Sequence, residues 1–189
     1  HVKDVLWYDD VADILSQLVR TALIPPQGMK YAVADFSAIE ARVISWLADE
    51  KWRLDVFHGD GKIYEATGEK MFGVPKSEIK KGSVLRDKSK ISELALGYEG
   101  GLGALKRMGG DKMGLSDTEM MSLVRKWRMA NPNIVDMWKE IDEASKEAVR
   151  YRRAVKCTSK NVIFDCDGEF MTIELPVGRK LFYYKPEFK

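Results

Sequence analysis

The period of the hydrophobic pattern changes near Val155, and this change constrains the fold more than any other feature of the chain. Before that point, apolar residues recur at the three- and four-residue spacing of amphipathic helices, and Gly or Pro separates the segments. After it, short runs rich in β-branched and aromatic residues surround a turn at 176–178. We predict helices at 37–49, 63–71, 84–98, 116–130 and 133–151, and strands at 162–164, 170–175 and 181–184. Helices followed by short antiparallel strands indicate an α+β fold.

One further strand is predicted near the start of the chain. The run 31–34 is short and apolar, and it lies between Gly28 and Asp35. Such a run is typical of a buried strand. A helix from Ser37 would follow it directly, so that Asp35 would lie at the end of the strand.

The composition narrows the class of protein. With 189 residues and 45% hydrophobic content, the chain is long enough for one core or two small lobes. Lys and Arg number 31 against 29 Asp and Glu, so total charge neither favours nor excludes a nucleic-acid partner. The two cysteines are too few for a disulfide scaffold or a zinc site, and we expect reduced thiols. No apolar run approaches the roughly 18 residues of a membrane span. A chain that starts at His1 without methionine is expected to be an excised segment.

Two carboxylates lie near the start of the helix predicted at 37–49. Asp35 ends the predicted strand, and Glu40 lies in the first turns of the following helix. A strand-end carboxylate supplies the oxygen ligand that Mg²⁺ requires, with water and phosphate oxygens completing the shell. The spacing of Ser37 and Glu40 also fits a capping box, and on spacing alone the cap is the favoured interpretation.

A second constellation lies on one predicted helix. Arg86, Lys90, Leu94 and Tyr98 are spaced by four and form a slanting stripe. Arg and Lys bind phosphate oxygens, and a Tyr ring stacks near a base, so the stripe is typical of a nucleotide clamp. The alternative is a solvated basic face with Tyr98 packed in the core, which is more common for such a helix considered alone.

Together, in this order and 51 positions apart, the two constellations resemble motifs A and B of family A DNA polymerases, the bacterial DNA polymerase I type. Motif A of that family reads Asp-Tyr-Ser-Gln-Ile-Glu-Leu-Arg, and motif B reads Arg-x3-Lys-x3-Phe-x3-Tyr-Gly. The segment 93–101 is especially similar to phage members, and the similarity covers most of the chain. The identical residues are Asp35, Ser37, Ile39, Glu40 and Arg42 in motif A, and Arg86, Lys90 and Tyr98 in motif B.

The resemblance implies a partial palm with a mainly helical fingers insertion. Residues 1–50 would form the first part of the palm with motif A, 51–154 the helical fingers with motif B, and 155–189 a return to palm strands. Motif C, a His-Asp-Glu that supplies the second metal-binding Asp, does not occur in the sequence. The chain by itself is therefore expected to be inactive.

The resemblance also implies a reaction. The parent enzyme would transfer a nucleotidyl group from a dNTP to a primer 3′-hydroxyl on template DNA, using two Mg²⁺ ions. Asp35 and the backbone carbonyl of Phe36 would bind metal, and Asp35 would be catalytic. Glu40 would exclude a ribose 2′-hydroxyl while contacting Tyr98.

The motif B residues would hold the triphosphate. Arg86 and Lys90 would bind its phosphates, and Lys90 would act as general acid because an ammonium group has a proton to give. Arg20 and Arg42 would support the substrate or the DNA. The pattern departs from the family at Leu94, which replaces the usual aromatic residue in the nucleotide site.

The expected partners are primer–template DNA and a dNTP. The protein is expected to be a monomer without a membrane contact, in the cytoplasm of a bacterium or of a phage-infected host. The alternative function is a non-catalytic, polymerase-derived module that binds nucleic acid. The absent motif C favours this alternative. The presence of Glu40, which would exclude ribonucleotides, together with Arg86, Lys90 and Tyr98 favours the enzyme.

Overall fold

A computed structural model describes residues 11–158 and 160–187 of the chain. The chain divides into two compact units, His1–Ser37 and Ala38–Lys189.

From residue 11 onward, the described part of the first unit contains one short helix and an irregular segment. Helix α1 spans Val11–Leu18, and a 3-10 turn follows at Val19–Ala22. The segment from 23 to 36 forms neither helix nor strand, and the side chain of Val33 is 93% exposed. The prediction of a buried strand at 31–34 is therefore wrong. A strand is stabilised by a partner that satisfies its backbone N–H and C=O groups, and no described strand pairs with this run.

The helices of the second unit start and stop at recognisable signals. The hydroxyl of Ser83 accepts a hydrogen bond from the N–H of Arg86 at the start of α5, and Ser116 and Glu119 form a capping box on α7. Pro132 occupies the first turn of α8, where a missing N–H costs nothing. The bounds are α2 Ile39–Ala48, α3 Lys51–His58, α4 Ile63–Phe72, α5 Val84–Leu96, α6 Leu102–Arg107, α7 Asp117–Ala130 and α8 Pro132–Tyr151, with a 3-10 turn at Lys76–Glu78.

Four antiparallel strands follow α8 in simple chain order. They are β1 Val155–Lys156, β2 Ile163–Asp167, β3 Phe170–Glu174 and β4 Lys180–Tyr184. Every residue of β4 is exposed, and among the described strands β4 pairs only with β3. The combination of helices with one antiparallel sheet confirms the predicted α+β class.

Two hydrophobic clusters hold the second unit together. The larger is centred on Trp127, whose ring stacks on that of Trp138 with centroids 5.9 Å apart. The smaller lies between α8 and the sheet, where Phe164 and Cys166 of β2 alternate inward. No helix in the described ranges is long and apolar enough to cross a membrane.

Candidate functional site

Glu40 lies close to the start of α2. This helix begins at Ile39, and its N-cap is Ala38, which adopts the left-handed conformation with φ 50° and makes no side-chain cap hydrogen bond. Glu40 is thus the second helical residue and not the third, which a capping box with Ser37 as N-cap would require. The helix therefore begins one residue later than that capping box would require. The carboxylate of Glu40 is exposed and faces a cavity.

The motif B stripe lies on the accessible side of α5. Ile91 and Ala95 are buried in the larger cluster, whereas Lys90 and Leu94 are exposed. The helix ends at Leu96 because Gly97 begins a turn, so Tyr98 lies just beyond the helix. Its side chain is 73% exposed, and the alternative that places it in the core is wrong.

A cavity of about 220 Å³ lies between α2 and the C-terminal end of α5. Its wall is largely apolar, and two buried charged residues, Arg53 and Glu93, also line it. The structure therefore brings together residues of motif A and motif B that are more than fifty positions apart in the sequence. The residues from these two helices and the following turn are Glu40, Ala41, Ile44, Leu94, Gly97 and Tyr98.

Arg86 lies near this cavity in an ion pair. Its Nε donates to the carboxylate of Glu65 at 2.6 Å, and its guanidinium lies 5.4 Å from the ring centroid of Tyr64. Tyr64 lines the cavity, and burial, followed by the charge of Glu93, raises the pKa of its hydroxyl. Lys90 is exposed, and no described carboxylate lies within ion-pair distance of its ammonium group. The two cations of the motif B stripe thus differ: Arg86 is half-buried in an ion pair, and Lys90 is exposed to solvent.

One of the two predicted supporting arginines, Arg42, is not among the residues that line the cavity. The guanidinium of Arg42 lies 4.5 Å from the ring centroid of Phe57, on α3. Arg20 belongs to the first unit, in the 3-10 turn, and its side chain lies outside the described part of the structure.

The predicted metal ligands belong to the first unit. Asp35 and Phe36 both lie in the irregular segment and are exposed. Among the residues that the structure describes, no group of three or more His, Cys, Asp or Glu side chains is placed to hold a metal ion. One carboxylate cannot hold two cations about 4 Å apart against their mutual repulsion. A two-metal site would therefore need a further carboxylate beside Asp35.

The sequence argument missed a buried polar network under the cavity. Arg53 and Glu93 form an ion pair with side chains 1% and 2% exposed. Thr67, Trp127 and Asn131 are hydrogen-bonded to this pair. The one available signal was a charged residue within apolar surroundings on each of two helices, which predicts a buried charge and its need for a partner.

Two curated proteins are similar to this chain. A DNA polymerase of Bacillus phage SP02 is 50% identical over 184 residues, which make up 97% of the chain and 28% of that protein. A DNA polymerase I of Pseudomonas aeruginosa is 39% identical over 61 residues, 32% of the chain and 7% of that protein. The chain thus spans less than a third of the length of either relative. No protein-family model matches the chain.

Proposed function

We propose that this chain is the nucleotide-binding part of a phage-like DNA polymerase of the bacterial DNA polymerase I type. Its cavity would hold the sugar and base of an incoming dNTP. The predicted resemblance to such polymerases is confirmed by the names and identities of both relatives. The parent enzyme transfers a nucleotidyl group to a primer 3′-hydroxyl on template DNA, in the cytoplasm of the host bacterium.

The observation that carries the proposal is the shared cavity of Glu40, Leu94 and Tyr98. A carboxylate at the rim of a small apolar space occupies volume that a ribose 2′-hydroxyl would need. A deoxyribose leaves this carboxylate undisturbed, so the cavity favours dNTPs. Selection of this kind comes from a difference between the two binding free energies.

The phosphates would bind along α5. The Nε of Arg86 is engaged by Glu65, while its two Nη groups supply the remaining donors of the guanidinium fork. Lys90 is exposed four residues further along and adds a mobile ammonium group. We assign Lys90 the role of general acid for the departing pyrophosphate, because an ammonium group has a proton to give and a guanidinium group does not.

The metal chemistry requires residues beyond those described. In the complete enzyme, two Mg²⁺ ions would activate the primer hydroxyl and neutralise the triphosphate. From this chain, Asp35 and the carbonyl of Phe36 would contribute ligands. Because one carboxylate does not suffice for two cations, the isolated chain binds nucleotide but does not extend a primer.

The proposal is tested by measuring the dissociation constants of dATP and ATP for the 189-residue chain. We expect tighter binding of dATP, and Glu40→Ala should raise the affinity for ATP by about tenfold, which corresponds to about 1.4 kcal/mol. The matched control is Glu78→Ala, which removes an exposed carboxylate from the 3-10 turn at Lys76–Glu78.

Three outcomes would contradict the proposal. Equal affinities for dATP and ATP in the unaltered chain would remove the role of Glu40. Binding of DNA without any binding of dNTP would favour the alternative function, a non-catalytic nucleic-acid-binding module. Primer extension by this chain alone would overturn the expectation that it is inactive.

A further inference from the structure

We propose that Arg53 is a positioning residue that links α2 to α5 and thereby fixes the distance between the Glu40 and Leu94 sides of the cavity. The inference rests on the proposed nucleotide site, and it adds a residue that lies outside both motifs. Arg53 is on α3, between the two helices in the sequence.

The link consists of four hydrogen bonds from one guanidinium. On the α2 side, Nε donates to the hydroxyl of Ser45 at 2.7 Å. On the α5 side, Nη1 and Nη2 donate to the two carboxylate oxygens of Glu93 at 2.8 and 2.5 Å. A further bond from Nη1 reaches the side-chain oxygen of Asn131 at 3.0 Å. One rigid planar group therefore holds the helix of Glu40 and the helix of Leu94 at once.

Glu93 takes part in as many hydrogen bonds as Arg53 does. Its Oε1 also accepts from the hydroxyl of Thr67 at 2.7 Å and from the indole N–H of Trp127 at 2.9 Å. These donors belong to α4 and α7, so the carboxylate cannot follow α5 if that helix shifts. A buried carboxylate with four donors has one favourable placement, because any unpaired donor or acceptor there would lose its water without compensation.

The location of the Arg53–Glu93 pair indicates that it positions the cavity residues as well as stabilising the fold. Arg53 and Glu93 line the cavity together with Glu40, and Glu93 precedes Leu94 in α5. Ser45 is fully buried and lies five residues after Glu40 in α2, on the same short helix. A lysine at position 53 would keep the charge but would lose the fork that reaches Ser45 and both oxygens of Glu93.

The test uses two variants of the whole chain. Arg53→Lys removes the fork, whereas Ser45→Ala removes only the contact to α2 and leaves the pair with Glu93 intact. Arg125→Lys, at an exposed position on α7, is the matched control. For each variant we would measure the ratio of the ATP and dATP dissociation constants, together with thermal unfolding.

A second measurement reports on the link without any nucleotide. Spin labels on Val43→Cys and Val84→Cys, both exposed, give the distance distribution between α2 and α5. The native Cys157 and Cys166 are buried, so the labels go to the introduced thiols.

We expect the discrimination ratio to fall by about threefold or more in folded Arg53→Lys and Ser45→Ala, and the distance distribution to broaden. Arg125→Lys should change neither quantity. An unchanged ratio in a folded variant, or an unchanged distribution, would overturn the positioning role. If the unaltered chain binds neither nucleotide, the proposed function fails, and the distance distribution alone decides whether Arg53 links the helices.

Discussion

Gly100 lies against the carbonyl oxygen of Ala95 so closely that a Cβ atom on residue 100 would come within 1.9 Å of that oxygen. Ala95 is in the last turn of α5, and Gly100 follows the turn that carries Tyr98. The chain therefore folds back over the helix end only if residue 100 has no side chain. A Cβ atom added to the next residue, Gly101, would have no neighbouring atom within 4 Å.

Gly100→Ala is consequently expected to destabilise the protein. The added methyl group meets backbone, which cannot rotate away, so we expect the free energy of unfolding to fall by about 2 kcal/mol or more. Urea unfolding measures this change. Gly101→Ala is the control: this residue is the N-cap of α6, so we expect a smaller loss, of about 1 kcal/mol or less, from the poorer cap alone. Equal losses in the two variants would contradict the packing argument.

Substitutions of Arg53 and Glu93 should have strongly non-additive effects on the free energy of unfolding. Arg53→Met leaves the Glu93 carboxylate buried without its main partner, and we expect a loss of about 3–5 kcal/mol in the free energy of unfolding. Arg53→Met combined with Glu93→Leu should lose less than the sum of the two single variants, because no uncompensated charge remains. A double-mutant cycle by urea unfolding measures the coupling, and simple additivity would contradict it.

The buried carboxylate of Glu50 should make stability depend on pH. Burial raises its pKa above the ordinary value, although backbone N–H groups of Asn133 and Ile134 at the start of α8 oppose the rise. The folded state therefore holds this proton more tightly than the unfolded state, so the charged carboxylate disfavours folding at pH 7. This penalty declines as pH falls through the folded pKa and is gone below the unfolded value, about 4.3.

The measurement compares the unaltered chain with Glu50→Gln between pH 7 and pH 4. We expect the unaltered chain to gain stability relative to the variant as the pH is lowered. A gain in the opposite direction would mean that the hydrogen bond from Asn133 N–H, 2.9 Å long, outweighs desolvation.

Leu94 offers a gain-of-function test in the proposed nucleotide site. Its side chain is 44% exposed and lines the cavity at the position where the family usually has an aromatic residue. Leu94→Phe adds a ring on which a base or sugar packs, and we expect dATP to bind about fivefold more tightly, the low end of the range for stacking. Leu94→Met, which adds length without a ring, is the control and should leave the dissociation constant nearly unchanged.

Local sequence patterns predicted most of the helices and strands. They failed where the conformation of a segment depends on a partner that is distant in the sequence. The helical spacing from Ser116 to Ala130 predicted α7 almost to the residue, because the start of this helix is fixed by a capping box that spans only four residues. The run at 31–34 has the same local quality as a strand, yet no described strand pairs with it. A strand depends on a partner that may lie anywhere in the chain, and no window of sequence contains that information.

The same distinction applies to the site. The stripe of Arg86, Lys90 and Leu94 lies along one side of α5 because a spacing of four places residues on one face. The partners of Arg53 lie 8, 40 and 78 residues away, so its role depends on the packing of four other helices and their connections. Glu65, which engages Arg86 from 21 residues away, was missed for the same reason.

The exposed strand β4 bears on how this protein behaves at high concentration. Its outer edge presents N–H and C=O groups next to Leu181 and Phe182, which makes it a template on which another molecule could add a strand. Lys180 at the start of the strand and Lys185 just after its end lie in ion pairs with Glu174 and Glu169. Charged side chains at both ends of an edge strand oppose the addition of a strand from a second molecule.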